Sequence, residues 1–143
     1  MVTTFLTIDD YRGVCDTYEL DTLTANTDNR LTCEAAAIEH ISSYIRHRYD
    51  VTKVFSATGS ERNPLIVQCA VNITLYLLSH RLPQSMGHER RECLYNDSIS
   101  WLRDVQNSKA SPLLPTYTDE TTGETDTHNP VRFGSGTPNR YDY

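Results

Sequence analysis

The sequence predicts an all-α protein, a small helical bundle of three longer helices and one or two short ones, followed by a long extended C-terminal tail. Three observations carry that expectation. Apolar residues recur in steps of three and four over 31–49. The stretch 65–81 is apolar on most sides between Asn63-Pro64 and Pro83. Beyond Pro115 the periodicity stops and Thr, Asp, Glu, Gly and Pro take over.

The first helix signal is Thr7-Ile-Asp-Asp10. A Thr hydroxyl can accept from the amide three residues on, and the acidic pair suits the positive end of a helix. Gly13 is expected to close that turn, and a second short turn to cover Asp16 to Leu23. Asn26 to Asn29 forms a capping region. From Arg30, residues Leu31, Ala35, Ile38, Ile41, Ile45 and Tyr49 trace one helical face. Glu34, Glu39, His40, Ser43 and His47 fall opposite it. The spacing predicts a long amphipathic helix ending near Asp50, then a loop over 51–62. Asn63 then caps a helix with Pro64 at its first position, where a missing amide hydrogen costs nothing. Leu65 to Arg81 is greasy on most sides, as a central helix must be, and Pro83 stops it. A fourth segment, His88 to Asn107, presents Leu94, Tyr95, Ile99, Trp101, Leu102 and Val105, leaving Asp97, Ser98 and Arg103 outside that face.

The chain divides by composition into residues 1–111, a helical domain, and 112–143, an extended arm. Its 143 residues suffice for one core. Hydrophobic content of 38% fits a core plus a part that stays outside it. The net charge is −6, and each part contributes −3: 11 Lys/Arg against 14 Asp/Glu in the domain, 2 against 5 in the arm. No basic block occurs, which argues against general nucleic-acid binding, since that requires a cationic surface to displace counterions. Cys15, Cys33, Cys69 and Cys93 have no C-x-x-C spacing, so reduced thiols are expected. Met1 to Phe5 lacks the basic start and apolar run of a secretory leader. The stretch 65–78, broken by Gln68, Asn72 and Thr74, is too short to span a bilayer, so no membrane role is expected. Asn72-Ile-Thr74 and Asn96-Asp-Ser98 match glycosylation triplets, but both lie in helical segments and carry no weight.

No constellation of residues with the spacing of a catalytic or metal site occurs in the sequence. His40 and His47 are seven apart, His88 and Cys93 five apart, and neither spacing matches a zinc site. There is no G-x-S-x-G, no phosphate-binding glycine loop and no H-E-x-x-H. The expectation is a non-enzyme with no catalytic residue, metal or cofactor. Two features stand above background. Tyr44-Ile-Arg-His-Arg-Tyr-Asp50 closes the long helix. Arg46 and Arg48 could simply cover the last carbonyls, or, with Tyr49, could contact another subunit. The second feature is the far end of the tail. Pro130, Val131, Arg132, Phe133, Arg140, Tyr141 and Tyr143 put aromatic and Arg anchors on a segment that cannot bury them alone. Such anchors suit insertion into a partner's groove or sheet edge. The bland alternative is an end without a partner.

Phe5-Leu-Thr-x-Asp-Asp-Tyr11, Tyr44-Ile-Arg-x-Arg-Tyr-Asp50, Asn63-Pro-Leu65, Ala70-Val-x-Ile-x-Leu-Tyr76 and Tyr95-Asn-Asp-Ser-Ile-x-Trp-Leu102 resemble the head–tail connector proteins of Mu-like phages. The resemblance covers about residues 5–112 and rests on the order and spacing of these pieces together. It implies a head-completion adaptor, a virion protein of the neck made in the bacterial cytoplasm. Its copies, twelve in the wider adaptor family, would form a ring below the portal protein. The arm from Pro130 to Tyr143 would bind the portal, and the ring would offer a platform to the next neck protein, a stopper or tail terminator. Genomic DNA would pass through the lumen without specific binding, which an acidic protein suits. Ring closure needs two different faces per subunit. Arg46, Arg48 and Tyr49 on the long helix, with Trp101 and Arg103 on the fourth, are the candidates for them. The long acidic Thr-rich stretch before the arm departs from the family pattern. Rival expectations are a stopper or tail-terminator ring, which would be β-rich, a DNA-binding regulator, which has the wrong charge, and an enzyme with an unrecognised site.

Overall fold

Polar side chains write the helix starts of this chain. The computed structural model describes residues 5–23, 25–80 and 88–118. Within them α1 spans Ile8–Tyr11, α2 Thr17–Leu23, α3 Thr27–Ile45, α4 Val51–Ser56, α5 Pro64–Ser79 and α6 His88–Gln106, with one 3-10 turn over Gly59–Glu61. Asn26 accepts from the Asn29 amide at 3.1 Å and starts α3. Asp50 accepts from the amides of Thr52 and Lys53 at 3.1 and 3.3 Å and starts α4. Asn63 accepts from Leu65 and Ile66 at 3.0 and 3.3 Å ahead of Pro64. Each cap satisfies amides the helix itself cannot, for about 1 kcal/mol.

The fold is all-α, with three longer helices among the described residues and shorter ones beside them. The described residues contain no strand, and an isolated antiparallel bridge joins Tyr49 to Thr116. Helix α5 is central. It touches α1, α2, α3 and α6, and Ile66, Cys69, Ala70, Val71, Ile73, Leu75 and Leu78 are buried along it. No described helix is long and apolar enough to cross a membrane. The core closes with Ala37, Ile41 and Ile45 of α3 and Ile99, Leu102 and Val105 of α6. Burying one such Ile, Leu or Val contributes about 1.5–3 kcal/mol. Pro83, the expected stop of α5, lies outside the described residues, as does Arg81.

Several expectations need correction. Helix α3 ends at Ile45 rather than near Asp50, because the Asp50 carboxylate caps a new helix, and so part of the expected loop over 51–62 is α4 and a 3-10 turn. The α3 core face is rotated from the expected one: Ala35 is exposed, while Cys33, Glu34, Ala37, Ile41, Ser42 and Ile45 are buried. Glu34, placed on the polar face by its type, is only 3% exposed. It accepts from the Tyr11 hydroxyl at 2.6 Å and from Arg30 at 3.0 Å, which offsets the cost of burying its charge. Burial and this carboxylate both push the Tyr11 phenol well above its ordinary range. Ser98 likewise lies inside, accepting from the Asn72 side chain at 3.1 Å.

Helix α6 ends where Ser108 adopts φ 61°. The Lys109 amide donates to the Asp104 carbonyl at 2.8 Å and the Ser108 amide to Val105 at 3.1 Å, the two bonds of a Schellman termination. The chain then turns back extended over 112–118.

One ion pair fastens α1 to the start of α5. Arg62 Nη1 and Nη2 reach Asp10 at 2.6 and 3.1 Å, and Nη1 also donates to the Phe5 carbonyl at 2.9 Å. The Asp10 carboxylate accepts the Thr7 amide at 2.7 Å as well. Burial would raise the Asp10 pKa, but hydrogen bonds from Arg62 and Thr7 outweigh it and hold the carboxyl below its ordinary 3.8. A folded value below the unfolded one stabilises the fold fully above about pH 4 and is lost as pH falls through the lowered value. Asp10→Asn should therefore be less stable than wild type at pH 7, and its loss of stability on acidification from pH 5 to 2 should be shallower. Urea titrations across that range check this, and parallel curves would show that Asp10 titrates alike in both states.

Candidate functional site

The corner between α3 and α4 collects three of the five subunit-contact candidates, Arg46, Arg48 and Tyr49. Arg46 is the C-cap of α3, exposed, and its guanidinium pairs with Glu39 at 2.9 Å. Such an exposed pair contributes little. Arg48 lies with its guanidinium carbon 5.3 Å from the centre of the Tyr49 ring, within cation–π range. Arg48 Nη1 is buried and finds no hydrogen-bond partner among the described residues. Tyr49 itself is 3% exposed and belongs to the core. Lys53, one turn into α4, stands 3.8 Å from Asp50. Burial holds the neighbouring His47 below its ordinary pKa, and the Arg48 charge adds to that. Neither arginine covers the α3 carbonyls with its side chain; the last turn is served otherwise.

What serves it is the root of the C-terminal tail. The Tyr117 hydroxyl donates to the Arg46 carbonyl at 2.8 Å, and the Asp50 amide donates to the Pro115 carbonyl at 2.9 Å. Lys53 Nζ donates to Thr118 Oγ1 at 3.0 Å, and the Asn63 side chain to the Leu113 carbonyl at 3.1 Å. Leu114 is buried at 9%, whereas Leu113 before it is 94% exposed, the alternation of an extended segment lying on a surface. Residues 113–118 are thus fastened along the domain, with Tyr117 and Thr118 beside Arg46 and Lys53.

Trp101 and Arg103 stand elsewhere, on α6. Trp101 is half-buried against the core and Arg103 is exposed. The arm residues Pro130, Val131, Arg132, Phe133, Arg140, Tyr141 and Tyr143 lie outside the described residues.

A second surface was not anticipated. His40 stacks on Tyr44 with ring centres 5.8 Å apart and meets Tyr95 edge-on at 6.3 Å. Tyr95 stacks on Tyr76 at 4.2 Å, and Tyr76 meets His80 at 4.6 Å. This row crosses α3, α6 and the end of α5, and His40, Tyr44, Tyr76 and Tyr95 are each only half-buried. Burial, together with Tyr76 and Tyr44, raises the Tyr95 pKa, so its hydroxyl stays protonated at neutral pH. Its sequence trace is the i, i+4 spacing of His40/Tyr44 and Tyr76/His80, which by itself only says that two rings share a helix face.

Chemistry-bearing groups elsewhere serve the fold. Cys15, Cys33 and Cys69 are buried and Cys93 exposed, and none of the four is in a disulfide. Burial pushes the Cys69 thiol up to about 11, so it is not a nucleophile at neutral pH. Among the described residues no three His, Cys, Asp or Glu side chains converge on a point that could hold a metal. Set against known protein families, curated proteins and solved structures, the chain has no match.

Proposed function

We propose that the chain is a structural subunit of a phage neck, a head–tail adaptor that binds the portal protein through its C-terminal arm and packs against further copies of itself in a ring. The observation that carries this reading is the fastened tail root. A segment of thirty-odd residues with anchors at its far end is useful as an arm only if its near end has a fixed origin, and residues 113–118 supply one beside the α3–α4 corner. The sequence resemblance over residues 5–112 supports the same reading. The Arg46/Arg48 corner and the half-buried aromatic row on α3, α5 and α6 are two unlike surfaces, as a heterologous ring contact requires, and Tyr, Trp and Arg are the residue types interfaces favour. In this reading the ring is a platform for the next neck protein, in the virion, with DNA passing through unread. A stopper or tail terminator of the same neck would be strand-rich, and the helical fold favours the adaptor over these.

The test is binding to the cognate portal ring by the full chain and by a version ending at Thr118, which keeps the root docked. The full chain should bind, and the shortened one should lose at least about a hundredfold in affinity, since two buried aromatic or Arg anchors contribute roughly 2–4 kcal/mol each. Equal binding by both would remove the arm from the reading. Absence of binding by either would sink the adaptor assignment.

A further inference from the structure

We propose that the fold binds one internal water molecule between α1, α3 and α5, held by Glu34 Oε2, Thr74 Oγ1 and the Tyr11 hydroxyl, and that this water ties α1 to the bundle. The site lies inside the free subunit and does not depend on the adaptor reading.

Three buried groups from three helices meet there: Tyr11 of α1, Glu34 of α3 and Thr74 of α5. Glu34 Oε1 is fully used, since the Tyr11 hydroxyl donates to it at 2.6 Å and Arg30 at 3.0 Å. Oε2 of the same carboxylate is buried and has no hydrogen-bond partner among the described residues. Thr74 Oγ1 is likewise buried and without such a partner. Its hydroxyl nonetheless acts on the Tyr11 phenol, so it faces the same place from the other side. Leaving a buried carboxylate oxygen unmet costs its whole desolvation, and two such atoms around one phenol point to a polar group between them.

Thr74 has a local alternative and does not take it. A helical Ser or Thr can donate to the carbonyl one turn behind it. The buried Ser42 and Ser79 do so, to Ile38 and Tyr76 at 2.7 Å each, and the buried Ser98 accepts from Asn72 at 3.1 Å. Thr74 makes neither kind of bond among the described residues, although the Ala70 carbonyl lies one turn back in the same helix. A water supplies what these atoms need. It donates to Oε2, which can only accept, and bonds the Thr74 hydroxyl in either sense. The Tyr11 oxygen keeps a lone pair after donating to Glu34 and is the third partner. About three partners is usual for a buried water, and bonds through water are nearly as favourable as direct ones. A metal cation fits poorly, because Arg30 already neutralises the carboxylate and Ca2+ or Mg2+ takes about six oxygens or more.

Relaxation dispersion of water oxygen-17 in solutions of the full chain tests this, because it counts waters held inside a protein far longer than those on its surface. Wild type should show one more long-lived water than Thr74→Val, which keeps the branched shape and removes the hydroxyl. Thr74→Ser keeps the hydroxyl and should keep the water. Tyr11→Phe should lose it as well, and it replaces Thr74→Val if circular dichroism shows that variant unfolded. Amide exchange over α1 should be about twofold to tenfold faster in Thr74→Val than in Thr74→Ser, the scale of one net hydrogen bond. Equal dispersion in wild type, Thr74→Val and Tyr11→Phe would overturn the proposal. Loss in Thr74→Ser would overturn it too, since packing rather than the hydroxyl would then hold the water. Unchanged α1 exchange would remove the tie between α1 and the bundle. A thermal midpoint that rises with added NaCl or CaCl2 in wild type but not in Thr74→Val would give the site to a cation instead.

Discussion

Arg91→Ala should destabilise the domain by about 3–5 kcal/mol, through the buried volume it empties and the contacts between α6 and α2 it breaks. Arg91 sits in the second turn of α6 and is 2% exposed. Its Nη2 donates to Cys15 Sγ at 3.2 Å and makes a short contact with the Glu19 carboxylate. Arg90 adds a bond to the Val14 carbonyl at 3.3 Å. Through these groups α6 holds α2, which has only seven residues and cannot persist alone. Removing the side chain leaves a cavity and a loosened α2, with Glu19 keeping only the longer contact to Arg90 at 3.7 Å. For a domain this size the midpoint of thermal unfolding should fall by roughly 10–15 °C, read by circular dichroism.

The comparison that isolates charge from packing is Arg91→Met. Nη1 of Arg91 is buried without a partner among the described residues, an expense an apolar side chain does not incur. The Glu19 side chain is 27% exposed and can turn to water when its cation is gone. Met fills most of the volume, so Arg91→Met should cost about 2 kcal/mol less than Arg91→Ala. Equal losses would mean that the ion pair, rather than the filled space, holds α6 to α2.

Arg91 also shows which parts of this molecule the sequence discloses. Caps are local. Asn26, Asp50 and Asn63 act on amides two or three residues away, and the α3, α5 and α6 starts are readable at Asn26–Asn29, Asn63-Pro64 and His88. Periodicity is local too, and it finds α5 and most of α6. Buried polar groups are not local. Glu34 Oε1 meets Tyr11 from 23 positions away and Arg91 Nη2 meets Glu19 from 72, so by residue type alone both read as surface. Helix α4 is hidden for another reason: Val51, Thr52 and Val54 are β-branched and favour strand over helix, and only the Asp50 cap and packing of Val54 override that. At the candidate site, the Arg and Tyr cluster is visible in the sequence, whereas the segment that docks on it lies 65 to 71 positions later. The composition change near Ser111 marks the end of regular periodicity but not the end of packing, since Leu114 is still buried.

Tyr49→Ala should cost about 3–4 kcal/mol in the isolated subunit, although Tyr49 sits among residues that suggest a subunit contact. A tyrosine at an unmet interface would be exposed in the free chain, and its loss would change stability by less than about 0.5 kcal/mol. Tyr49 is 3% exposed instead. Its amide closes the last turn on the Ile45 carbonyl at 2.9 Å, its backbone bridges Thr116, and its ring carries the Arg48 guanidinium. Truncation to Ala removes a large buried ring, for which losses of about 3–5 kcal/mol are usual, and it withdraws the surface beneath Arg48. Tyr49→Phe keeps the ring and should cost under about 1.5 kcal/mol. Urea unfolding of the two variants reads this directly. The docked root should weaken with Tyr49→Ala and persist with Tyr49→Phe, seen as faster amide exchange over 113–118 in the first alone. A Tyr49→Ala variant as stable as wild type would return Tyr49 to the interface. A large loss leaves Arg46 and Arg48 as the groups at this corner free to meet a partner, with Tyr49 acting through the position it gives Arg48 and the tail root.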